Sequence, residues 1–134
     1  MQKPLSYRTP VGEVKKFLRE LHRILSSTNF TLDILPFKKG EDRSDPYTTE
    51  NTMADLDYDD TDVIDELMKL TTSNYIESIA DNRSPLDNPF HVFGTDICCR
   101  DVYIKVKIRD CESGKVFCVS FHYARFPLTV FPHK

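Results

Sequence analysis

The chain has 134 residues, enough for one domain with its own core, and its 29% charged and 40% hydrophobic residues fit a soluble globular protein. No apolar run approaches membrane-spanning length and the opening MQKPLSYRTP has no apolar signal core, so a cytoplasmic chain with no membrane partner is expected. The net charge of −3 is unevenly spread: residues 1–39 hold eight Lys/Arg against three Asp/Glu, residues 40–97 three against fifteen, and residues 98–134 seven against three. A basic face can still meet a polyanion, because local potential rather than total charge steers a ligand.

Thr9-Pro10 is expected to open a helix, with Thr9 as cap and Pro10 in the first turn. Val11, Val14, Phe17, Leu18, Leu21, Ile24 and Leu25 recur at three and four, which predicts helix to about Ser26. Lys15, Lys16, Arg19, His22 and Arg23 fill its other face. Residues 29–37 (NFTLDILPF) alternate and predict a strand that Pro36 stops or places at an edge. The polar stretch 38–48, with Gly40 and Pro46, reads as a mobile loop. Residues 50–56 suit one or two helical turns. Asp59 or Asp60 then caps a second helix with Val63, Ile64, Leu67, Met68 and Leu70 apolar. Asp59, Asp60 and Asp62 suit the helix dipole; no EF-hand spacing follows, so capping explains them better than a cation site. After Ser73–Ser78 come a Pro/Asn/Asp-rich loop at 81–89, a strand over Phe90–Phe93 and a turn at Gly94-Thr95-Asp96.

The most regular stretch is VYIKVKIRDCESGKVFCVSFHY, residues 102–123. Val102, Ile104, Val106 and Ile108 point one way, and Tyr103, Lys105, Lys107 and Arg109 the other. Beyond the turn, Phe117, Val119, Phe121 and Tyr123 form one face, and Val116, Cys118, Ser120 and His122 the other. This predicts an antiparallel hairpin. A turn centred on Glu112-Ser113 sets Ile104 opposite Phe121, Val106 opposite Val119, Tyr103 opposite His122 and Lys105 opposite Ser120. A turn on Ser113-Gly114 keeps the faces and sets Lys105 opposite His122. The polar face then carries a phenol, an imidazole, a hydroxyl and three cations. Lys and Arg there also fit a plain solvated face. The tail RFPLTVFPHK, with two prolines, is expected to pack along the sheet without joining it.

Several chemistries are excluded. Cys98, Cys99, Cys111 and Cys118 form no C-x-x-C pair and read as reduced thiols, without a structural zinc. Four glycines make no phosphate-cradling loop, and no Ser-His-Asp elbow is present. The order of elements predicts an α+β fold, an antiparallel sheet with helices on one face.

The acidic helix followed by SNYIES, the HVFG strand, and DVYIKVKIRD…VFCVSFHY with its proline-containing tail resemble the MqsR family of bacterial toxins (motility quorum-sensing regulator type), over roughly Thr49 to Leu128. The resemblance implies a RelE-like fold, a small twisted antiparallel sheet backed by helices. It also implies metal- and cofactor-independent cleavage of single-stranded mRNA without the ribosome, and a cognate antitoxin encoded alongside. The family's sheet tyrosine falls on Tyr103 and a lysine on Lys105. Its other functional positions fall on Glu77, on Val92 next to His91, and on His122, where different residues stand. The chemistry needs a base for the ribose 2′-proton, cations for the phosphorane charge and an acid for the leaving oxygen. Glu77 as base and His122 as acid would serve, with Lys105 holding the phosphate and Tyr103 orienting it or stacking on a base. Arg100, Lys107, Ser120 and His91 would add RNA contacts. An alternative is a non-catalytic member that binds an antitoxin or another protein, in which Glu77 is an exposed loop carboxylate.

Overall fold

A computed structural model of the chain describes residues 5–83 and 87–134. Residues 84–86, the middle of the expected 81–89 loop, lie outside them. The strands β1 (Ser6–Tyr7), β2 (Thr31–Ile34), β3 (Tyr75–Ile79), β4 (Phe90–Ile97), β5 (Arg100–Asp110) and β6 (Lys115–Tyr123) make one sheet, ordered β1-β3-β4-β5-β6-β2. Every pairing is antiparallel except β2 with β6, which is parallel. The helices are α1 (Val11–Ser26), α2 (Thr49–Leu56) and α3 (Asp60–Lys69). The chain is therefore α+β, as its pattern predicts. None of the described helices is long and apolar enough to cross a membrane.

The apolar stripe of α1 buries Val14, Leu18, Leu21, Ile24 and Leu25 against one sheet face, built from Phe93, Val102, Ile104, Val106, Val116, Cys118 and Phe121. Each such side chain contributes about 1.5–3 kcal/mol when fully buried. Val63 and Leu67 of α3 join the same core. Of the two caps expected for α3, Asp59 holds the position, in a capping box with Asp62. The cap of α1 differs: Pro10 holds that position without a side-chain bond, and the Thr9 hydroxyl instead meets Ser78 Oγ at 2.7 Å.

The β5–β6 hairpin pairs Tyr103 with His122, Ile104 with Phe121 and Lys105 with Ser120. Val106 then faces Cys118 and not Val119, because Val119 is the extra residue of a bulge. The bulge turns Val116 and Cys118 toward the helices together with Phe121 and Tyr123, and leaves Phe117 on the open face. The strand β4 also runs past the expected turn to Ile97, and the chain reverses at Cys98-Cys99, both in the left-handed region with φ of 53° and 66°. Gly94 stays inside β4 because its missing side chain admits the tail: a Cβ there would lie 2.7 Å from Leu128 Cδ1 and 3.1 Å from Phe131 Cε1.

The tail thus lies against the sheet without joining it. Its Leu128 N–H donates to Asp101 Oδ2 at 2.9 Å, and His133 Nε2–H donates to the Thr9 carbonyl at 2.7 Å while its ring stacks on Tyr75. The 38–48 stretch is pinned as well. Glu41 accepts from Lys38 N (2.6 Å), Asp42 from Ser44 N (2.9 Å), and Asn51 Nδ2 donates to the carbonyls of Arg43 and Asp45. Beyond the reach of β2, the edge of β6 is closed by α2: Thr49 Oγ1 accepts from Phe121 N and Thr52 Oγ1 from Tyr123 N, each at 3.0 Å. These two bonds bracket His122.

Candidate active site

Strand alternation puts Tyr103 and Lys105 of β5 on the sheet face away from the helices, and their pairing with His122 and Ser120 sets those two β6 residues on the same side. The rings of Tyr103 and His122 stack at 5.3 Å with their planes 17° apart. Lys38, from the segment after β2, reaches over this pair, its Nζ 3.4 Å from His122 Nε2. Lys105 lies in the next row, opposite Ser120, and its Nζ stands 4.9 Å from the centre of the Phe90 ring.

The protonation states follow from the surroundings. His122 Nδ1 is 2.9 Å from the Tyr123 carbonyl, which only accepts, so Nδ1 carries the proton and Nε2 offers a lone pair. Burial, reinforced by the positive charge of Lys38 and opposed by that carbonyl, holds the imidazole below its ordinary range. Burial also lowers the ammonium of Lys38, and that of Lys105, where the Lys38 charge adds to the effect. The Tyr103 phenol is pushed up to about 12 by burial and by the Glu77 carboxylate. At neutral pH the cluster holds a neutral imidazole whose Nε2 accepts from Lys38, a second lysine and a protonated phenol. It can take a proton, stabilise an anion and donate a hydrogen bond.

The remaining residues expected at the site divide differently. Glu77 lies on the site face, in the row Glu77, Val92, Lys105, Ser120, and its carboxylate accepts from the Ser6 hydroxyl. The strands β3 and β6 are three spacings apart, roughly 14 Å. Glu77 therefore acts on Tyr103 and Lys105 through its charge and is not set beside His122 as an acid–base partner. Ser120 shares the face but is fully buried, with its hydroxyl unpartnered among the described residues; it floors the site and does not reach a ligand.

Lys107 is only 4% exposed and spends its charge on Asp81 at 2.6 Å, which removes it as an RNA contact. Arg100 occupies a helix-side position, its guanidinium 3.4 Å over the Tyr123 ring and 3.9 Å from Asp55. His91 is also on the helix side: the pairing with Val106 turns it inward, against Phe17 at 4.3 Å and Ser78 Oγ at 2.8 Å. Burial lowers its pKa to about 4. Neither Arg100 nor His91 belongs to the open face.

Lys38 is the residue that sequence reasoning misses. It is 84 positions from His122, and its only signal is a pair of lysines directly after the strand stop at Pro36. Among the described residues no group of three or more His, Cys, Asp or Glu side chains could hold a metal ion. Comparisons of the chain with models of protein families, with curated proteins and with solved structures return no match.

Proposed function

We propose that the chain is a ribosome-independent mRNA endoribonuclease of the MqsR toxin type, neutralised by a cognate antitoxin, with Tyr103, His122, Lys105 and Lys38 as its reaction centre. The observation that carries this reading is the neutral imidazole of His122, its Nε2 the acceptor for Lys38 and its ring stacked on Tyr103. In the reaction the ribose 2′-oxygen attacks the adjacent phosphorus while its proton passes to His122 Nε2. The 2′-O–P bond forms and the P–O5′ bond breaks, leaving a 2′,3′-cyclic phosphate and a 5′-hydroxyl. Lys105 and Lys38 stabilise the charge that builds on the phosphorane oxygens, and the half-buried Lys38 ammonium supplies the proton to the leaving oxygen. The Tyr103 hydroxyl, protonated throughout the neutral range, donates to a non-bridging oxygen. The lowered pKa of His122 and its bond through Nδ1 favour the base's role over the acid's, and the position of Glu77 leaves it an electrostatic part.

The test is purified protein with single-stranded RNA in the presence of EDTA, reading product ends. His122→Ala should slow cleavage by about 10²–10⁴-fold with the fold unchanged by circular dichroism. The parent rate should be level at neutral pH and fall on acidification only below the ordinary histidine range, as the ring takes up its proton. A His122→Ala variant that cuts as fast as the parent, or a parent that leaves RNA intact, refutes the reading.

A further inference from the structure

Beside the Lys38–Lys105 end of this centre the open face deepens into a groove of about 730 Å³, within the range of roughly 300–1,000 Å³ typical of ligand sites. Its apolar wall is aromatic. Phe90 and Phe117 meet edge to face at 6.0 Å, and the Arg109 guanidinium lies 3.9 Å over the Phe117 ring. Phe37 lines the groove too.

The groove is also cationic. Lys39 and Arg83 stand exposed on its rim, and neither has an ion-pair partner among the described residues, nor do Lys38 and Lys105 at its inner end. The acidic side chains that line it, Asp33 and Asp81, each already face a cation, Arg109 at 3.4 Å and Lys107 at 2.6 Å. Aromatic and guanidinium planes set among unpaired cations suit a strand with unstacked bases and a phosphate backbone.

We infer that this groove binds the single-stranded RNA segment adjoining the scissile phosphate, with a base stacked on the Phe117–Arg109 pair and phosphates held by Lys39 and Arg83. The inference rests on the nuclease reading, and it adds a substrate path to the reaction centre. A duplex has its bases paired and stacked, so the groove selects single strands.

Fluorescence anisotropy of a short labelled single-stranded RNA tests it, in the His122→Ala background so that binding is read without turnover. Phe117→Ala should weaken binding at least about fivefold, and Phe117→Tyr should restore it, which separates stacking from loss of fold. Lys39→Glu with Arg83→Glu should weaken it at least tenfold and reduce the slope of log K against log salt by about 1.4, the share of two phosphates on a single strand. Lys15→Glu with Arg19→Glu makes the same charge change on exposed α1, across the sheet, and should leave binding unchanged. Groove variants that bind as the parent does, or α1 variants that weaken binding equally, overturn the inference while leaving the nuclease standing. Groove variants that weaken binding to a chain whose parent never cuts support the groove and refute the nuclease. A parent that neither binds nor cuts refutes both.

Discussion

The closure of the β6 edge by α2 can be tested at Thr52, whose side chain is fully buried. Its Oγ1 accepts from Tyr123 N at 3.0 Å and donates to the Pro46 carbonyl at 3.4 Å. Thr52→Val keeps the shape and removes the oxygen, leaving the buried Tyr123 N–H without a partner. A buried unsatisfied donor costs about 1–3 kcal/mol. With an unfolding entropy of roughly 2.1 cal/mol/K per residue over a chain of this length, the midpoint should fall by roughly 4–10 °C. Thr52→Ser keeps the oxygen and should lose much less. The assay is thermal denaturation by circular dichroism, with hydrogen exchange of the Tyr123 amide by NMR to place the damage at the edge. A valine variant that melts with the parent while the Tyr123 amide stays protected would show that the hydroxyl does not close the strand. Because the bond lies beside His122, the same variant loosens the site's frame.

Two further outcomes follow from buried geometry. His91 has a pKa of about 4 in the fold and an ordinary value of 6.5 outside it, so the native state prefers the neutral ring; stability should be full above pH 6.5 and decline as pH falls toward 4, by roughly 3 kcal/mol in all. Urea denaturation between pH 7 and 4 checks this, and a His91→Asn variant with an equally steep decline would refute it. Gly94→Ala should cost about 1–3 kcal/mol, because its Cβ meets Leu128 Cδ1 at 2.7 Å. Leu128→Ala in the same chain should relieve part of that loss, and a double-mutant cycle with strictly additive terms would show that the tail does not press on the strand.

How far the fold can be read from the chain depends on whether a position has one environment or two. Val102, Ile104, Val106 and Ile108 alternate with charged or phenolic residues, so the face of β5 is unambiguous and Tyr103 and Lys105 emerge on the open side. In β6 both alternating sets are largely apolar, because Phe117 packs against Phe90 on the open face while Val116 and Cys118 enter the core. A bulge at Val119 therefore leaves no trace in the pattern. Gly94 reads locally as a turn residue, yet it is glycine because another part of the chain comes close. Lys38 reads as one polar loop residue among several, and its place beside His122 depends on the parallel pairing of β2 with β6, which no local pattern encodes.

The charge pattern along the chain and the charge pattern in space are different quantities, and RNA binding depends on the second. The acidic residues Asp59, Asp60, Asp62, Asp65 and Glu66 cap or ride on α3, whose apolar side is buried in the helix-side core. They are separated from the open face by the helix layer and the sheet, more than the screening length of about 8 Å at physiological salt. Lys38, Lys39, Arg83 and Lys105 surround one groove on that face. A phosphate there meets those cations at contact distance, whereas the carboxylates of α3 are felt through screened solvent. The net charge of −3 is thus compatible with a polyanion site, because the sheet holds the acidic helix α3 apart from it and the carboxylates of the open face are engaged locally: Asp33 with Arg109, Asp81 with Lys107, Asp45 with Arg125, Glu41 with the Lys38 amide and Glu77 with the Ser6 hydroxyl.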